Sequence, residues 1–164
     1  MDGVGGKVAP LLVFACGNPS RGDDALGPAF TERAAARLHH QLARGEIELL
    51  TDFQLQVEHA LDLVGRRQVV FVDASVSCAP PFEYADVRPT HDRSFSTHAL
   101  SPGAVLEAHR VAVGGEPPAA TLLSIRGERF GLGEPLSESA ERNLQQAVAF
   151  FVEFVASRWR LDHE

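Results

Sequence analysis

Cysteine is scarce in this chain: Cys16 and Cys78 are the two among 164 residues. Two thiols cannot staple a small disulfide scaffold. Both stand beside apolar runs, so they read as buried structural thiols of a reducing cytoplasm rather than as a redox pair. Long apolar runs are missing as well: no stretch approaches the roughly 18 apolar residues of a membrane span. The opening Met1-Asp2-Gly3-Val4-Gly5-Gly6-Lys7 lacks the basic-then-apolar order of a secretory signal. Positive charge is in deficit, with a formal net charge of −7, which disfavours nucleic acid and anionic membranes as partners. Internal repeats, low-complexity tracts and domain linkers are absent. What is present, 45% hydrophobic and 23% charged residues, suits an ordinary soluble globular domain with one core. We expect a flexible glycine-rich N-terminus over 1–9 and a single domain over 10–160.

Leu11 to Ala15 is apolar on both faces and reads as a central, doubly covered strand. Leu26 to Ala43 carries Phe30, Ala34, Leu38 and Leu42 at helical spacing, with Pro28 tolerable in the first turn and Gly45 ending the helix. Glu46 to Thr51 and Gln68 to Val72 are further strands. Between them Gln54 to Val64 predicts a helix with Val57, Leu61 and Val64 on its buried face. Phe82 to Val87 alternates imperfectly after Pro80-Pro81 and predicts an edge strand, its direction left open with antiparallel as one option. A helix capped by Ser101 and Pro102, a strand over Thr121 to Ile125, and a last helix capped by Ser137 complete the chain. That last helix presents Leu144, Val148, Phe151 and Val155 as one stripe, continued by Trp159. Strands alternating with crossover helices predict an α/β fold: a single three-layer domain with a mostly parallel, twisted five-stranded sheet and helices on both faces.

In such a sheet the strand C-termini share one edge, where ligands bind. Asp23 and Asp24 follow the first strand, Asp52 the second and Asp73 the third. Carboxylates converging there repel unless a cation or a shared proton compensates, and a divalent metal is the simplest compensation. Oxygen ligands with one imidazole suit Zn, Ni or Mn. The candidate imidazole is His98, which the positive end of the Ser101-capped helix would help keep neutral. The residues alone therefore point to Asp24, Asp73 and His98 as metal ligands, with Asp52 in support. Each also has a plain explanation: Asp23 and Asp24 as helix caps, Asp52 and Asp73 as turn residues, His98 as a loop histidine. Glu58, His59 and Asp62 read as a solvated face, and no role falls to His39, His40, His59, His91, His109 or His163. A phosphate loop is excluded because no Gly-Lys-Ser/Thr follows Gly22, and Asp23 and Asp24 would repel phosphate. The Gly-x-Ser-x-Gly nucleophile motif is absent.

The stretch Gly17-Asn18-Pro19-Ser20-Arg21-Gly22-Asp23-Asp24-Ala25-Leu26-Gly27 resembles the N-terminal signature of the hydrogenase maturation endopeptidases. Asp24 matches that family's first metal-ligand position. Asp73 in Val70-Phe71-Val72-Asp73-Ala74 matches the second, and His98 in Phe95-Ser96-Thr97-His98-Ala99-Leu100 the third. The resemblance implies a cytoplasmic endopeptidase whose partner is a NiFe-hydrogenase large-subunit precursor. It would cut the C-terminal extension after nickel insertion, sensing nickel in the substrate. No organic cofactor is implied, and Zn, Cd or Ni would be able to occupy the site in vitro. The scissile bond would be attacked by water, activated by a carboxylate (Asp23, Asp52 or a metal ligand) or by the metal as Lewis acid, whereas an acyl-enzyme through Cys16 is disfavoured. The sequence departs from the family where other members often carry Glu in place of Asp24. It also departs at Asp52-Phe53-Gln54-Leu55-Gln56, which replaces an Asp-Gly-Gly-Thr-like turn and resembles the branch serving soluble, NAD-coupled hydrogenases. Two other readings stay open: a non-proteolytic nickel-checkpoint module that binds the large subunit, and a metal-dependent small-molecule hydrolase.

Overall fold

The computed structural model describes residues 7–91 and 99–159. Strand β1 (Leu11–Cys16) is buried along its whole length, so it must lie inside a sheet with cover on both faces. It does, flanked in parallel by β2 (Ile47–Asp52) and β3 (Gln68–Ser75). Strand β5 (Ala119–Arg126) continues the parallel ladder beyond β3, and β4 (Phe82–Val87) closes it antiparallel. The spatial order is β2-β1-β3-β5-β4. The expected α/β architecture, a mostly parallel five-stranded sheet between layers of helix, is what the chain adopts.

Alternation along the strands sorts the core into two layers. Leu11, Val13 and Ala15 of β1, with Val70, Val72, Leu123 and Ile125, face helices α1 (Leu26–Arg37) and α4 (Glu138–Glu153). Phe30 of α1 meets Phe151 of α4 edge to face at 5.5 Å, a contact that adds about 1 kcal/mol beyond burial. The alternate residues Leu12, Phe14, Cys16, Val69 and Phe71 face the opposite layer. That layer is helix α3 (Pro102–Ala112) and a 3-10 helix over Val57–Leu63. Ser101 and Ser137 cap α3 and α4 through their hydroxyls, accepting the amides of Ala104 and Ala140. The last-helix stripe of Leu144, Val148, Phe151, Val155 and Trp159 is buried as expected.

Three elements differ from the sequence expectation. The helix predicted over Leu26 to Ala43 breaks at Leu38, which leaves helical geometry before a short α2 (His39–Ala43). Strand β3 runs on to Ser75, so Asp73 lies inside the strand rather than after it. The segment after β2 is 3-10 rather than α-helical, and Val57, Leu61 and Val64 are exposed instead of buried. With about three residues per turn the buried side becomes Ala60 and Leu63, with His59 beside them. Among the described residues no helix is long and apolar enough to cross a membrane.

Candidate functional site

At the C-terminal edge of the sheet, β1 hands over to a tight turn that the sequence builds from glycine. Gly17 sits at φ +147°, and a Cβ there would lie 1.9 Å from the Asp24 carbonyl oxygen. A Cβ on Gly27 would lie 2.1 Å from the Cys16 carbonyl oxygen, so only glycine lets α1 start directly over the end of β1. The turn folds back to place Asp24, half-buried, where its Oδ2 accepts the Asn18 amide at 2.7 Å.

Asp24 and Asp73 both line a cavity of about 280 Å³, together with Cys16, Phe53, Leu55 and Leu100 among others. Two of the three expected metal ligands therefore face one space; the third, His98, lies outside the described residues. Asp73 is open to solvent on its outer side, but the surrounding wall crowds it. That burial, with the Asp24 charge adding to it against the Ala74 amide, pushes its carboxyl up to about 6. The Cys16 thiol is pushed up to about 12, by burial first and then by the charges of Asp73, Asp52 and Asp24. Three carboxylates thus converge on the end of β1, and the thiol among them stays protonated and inert. A pair of carboxylates one of which resists ionisation is an oxygen-donor set that a cation would relieve. Among the described residues no three His, Cys, Asp or Glu side chains are grouped to hold a metal by themselves.

Asp52 ends β2 in register with Cys16, next to the cavity-lining Phe53 but not itself in the lining. Its side chain is 48% exposed, and Oδ2 lies 3.1 Å from His59 Nε2 while Oδ1 accepts the Phe53 amide at 2.7 Å. Asp23 is different. It is wholly buried, is not among the cavity-lining residues, and accepts the amides of Glu128, Arg129 and Ser137 together with the Ser137 hydroxyl. Burial alone would raise its carboxyl, but these bonds outweigh burial and hold it below the usual carboxylate range. Asp23 ties the glycine-rich loop after β5 to the turn after β1, with every donor around it already spent on the fold.

His59 corrects the sequence reading. It is buried rather than part of a solvated face, as is His109 on α3. The His59 ring accepts the Gln56 amide at Nδ1, 2.8 Å away, and stands edge-on to Phe14 at 4.6 Å. The signal was a Gln three residues before a His, the spacing of a reciprocal helix cap. Phe53 was also missed: it lines the cavity yet is 64% exposed.

No protein-family model matches the chain. No curated protein matches it by sequence either. Solved structures do match: the fold is the one adopted by hydrogenase maturation proteases. The NiFe-hydrogenase maturation protease HycI from Thermococcus kodakarensis KOD1 superposes with a TM-score of 0.68 at 22% identity, over 93% of this chain and 95% of that one. The hydrogenase maturating endopeptidase HybD from E. coli gives 0.64 at 23% identity, over 92% and 93%. An endopeptidase from Escherichia coli, solved in solution, gives 0.65 at 20%, over 90% and 93%.

Proposed function

We propose that this chain is a cytoplasmic endopeptidase that removes the C-terminal extension of a NiFe-hydrogenase large-subunit precursor after nickel has been inserted. The observation that carries the reading is the meeting of Asp24 and Asp73 in one cavity at the sheet edge of a maturation-protease fold. Nickel belongs to the substrate here. Asp24 and Asp73, with His98, would approach it as oxygen and nitrogen ligands, so a precursor without nickel would not be held in register for cutting. Docking thereby becomes the check on metal insertion.

For the hydrolysis itself Asp52 is the better base. Asp23 has its carboxylate enclosed by four hydrogen bonds and no solvent access. Asp52 is half open, and each of its oxygens keeps a second lone pair after accepting one hydrogen bond. In the proposed step Asp52 takes a proton from water as the water oxygen bonds to the scissile carbonyl carbon. The carbon–nitrogen bond then breaks, and the departing amine nitrogen receives the proton back.

The test is mass analysis of candidate large-subunit precursors incubated with the protein, with and without nickel. Shortening confined to the nickel-loaded precursor is expected, and Asp24→Ala or His98→Ala should abolish it while leaving the circular dichroism spectrum intact. Binding without shortening would replace the endopeptidase with a checkpoint module. Normal processing by His98→Ala would remove His98 from the ligand set.

A further inference from the structure

Beside the candidate site lies a buried imidazole whose second nitrogen has no packing purpose. Capping the 3-10 helix needs only Nδ1 of His59, which accepts the Gln56 amide. That bond places the ring hydrogen on Nε2, and Nε2 faces Asp52 Oδ2 at 3.1 Å. The His59 side chain is 11% exposed and Asp52 is 48% exposed. A buried ring, braced by Phe14 and by a backbone amide, thus grips a carboxylate at the open end of β2. Burying a polar ring is unfavourable unless both nitrogens are matched, and an apolar side chain would fill the same space without that cost.

We propose that His59 is the positioning residue for Asp52: its Nε2–H, fixed in tautomer by the Gln56 amide, holds the Asp52 carboxylate in the orientation the proposed water attack requires. An unrestrained carboxylate at a strand end samples several rotamers, and misplacement of a base by about 1 Å costs on the order of 100-fold in rate. His59 does not touch the reacting atoms. Its influence runs through Asp52, while the Phe53 amide on Oδ1 supplies the second point of attachment. The kinetic consequence rests on the endopeptidase reading; the pairing itself does not.

Two variants separate capping from positioning. In His59→Asn the side-chain oxygen overlays Nδ1 and keeps the Gln56 cap, but nothing reaches Asp52. In His59→Gln the amide NH2 overlays Nε2 and restores a donor toward Asp52 at the expense of the cap. On nickel-loaded precursor, His59→Asn should lose about tenfold or more in kcat with KM within about twofold, and His59→Gln should recover most of that loss. Nitrogen NMR of 15N-histidine-labelled protein is the readout independent of turnover. The wild type should show an unprotonated Nδ1 and an exchange-protected Nε2–H whose resonance moves in Asp52→Asn. An Nδ1–H tautomer, or an Nε2–H indifferent to Asp52→Asn, would sink the pairing. Equal impairment of the two variants, or full kcat in His59→Asn, would sink the positioning role. If wild-type protein leaves every precursor uncut, the endopeptidase reading fails and the NMR result still decides the pairing.

Discussion

Asp23 and Asp24 are neighbours in sequence and do unrelated work. The Asp23 carboxylate is buried against the amides of Glu128, Arg129 and Ser137, while Asp24 turns the other way, accepts the Asn18 amide and lines the cavity it shares with Asp73. One residue holds the scaffold and the next faces the cavity. Consecutive residues of a 3-10 turn, Gly22–Ala25, project about 120° apart, which is why adjacency in the chain does not become adjacency in the site.

Asp23→Ala leaves three amides and a hydroxyl without their acceptor. The expected loss is about 3 kcal/mol, which shifts the melting temperature by roughly 10 °C in a domain of this size. Because folding lowers the Asp23 pKa, its contribution is complete above about pH 4 and fades as pH falls through the folded value. Urea melts of the two proteins should therefore converge in acid.

Asp73 carries the opposite sign. Its carboxyl is raised to about 6 by burial, with help from Asp24. Its contribution to stability is full below about pH 4 and lost as pH rises through about 6. With a chelator present, Asp73→Asn should flatten that part of the stability profile and stabilise the protein at neutral pH. An unchanged slope between about pH 4 and 6 in denaturant titrations would contradict the crowding described for this cavity.

Gly27→Ala forces a methyl group against the Cys16 carbonyl, to 2.1 Å without adjustment. Relief requires α1 to lift from β1, carrying the 3-10 turn of Asp24 with it. We expect a cost of about 3 kcal/mol and, in the variant that still folds at low temperature, impaired processing. Thermal melts paired with turnover measurements check both.

Phe53 is 64% exposed at the cavity wall, so its ring adds little to the fold. Phe53→Ala should change stability by no more than about 0.5 kcal/mol. If the precursor docks over this cavity, the same change should raise KM several-fold with kcat nearly intact, as loss of a uniform binding contact does. Steady-state kinetics of the variant decide it.

Much of this protein is legible without coordinates. The doubly apolar run of β1, the serine caps of α3 and α4, and the stripe from Leu144 to Trp159 are local patterns, and each formed where periodicity put it. The mostly parallel sheet followed from the alternation of strands and crossovers, while the antiparallel direction of β4 was fixed by its pairing with β5. The candidate ligands Asp24 and Asp73 were visible for a topological reason, since parallel strands bring their C-termini to one edge wherever they lie in the chain.

Tertiary structure decided what the local patterns left ambiguous. Val57, Leu61 and Val64 satisfy a helical period, yet the short crossover from β2 to β3 tightened into a 3-10 helix and turned them to solvent. That same tightening seated His59 against Asp52, a contact between a strand end and a separate 3-10 helix that periodicity within one element does not predict. The fate of Asp23 was settled by a loop more than 100 residues later in the chain, whose amides reached it first. Sequence alone names the carboxylates able to meet at a sheet edge, because topology is written in local periodicity. Which of them stays open to the cavity depends on the hydrogen-bond donors that distant segments bring, and only the folded chain assembles those.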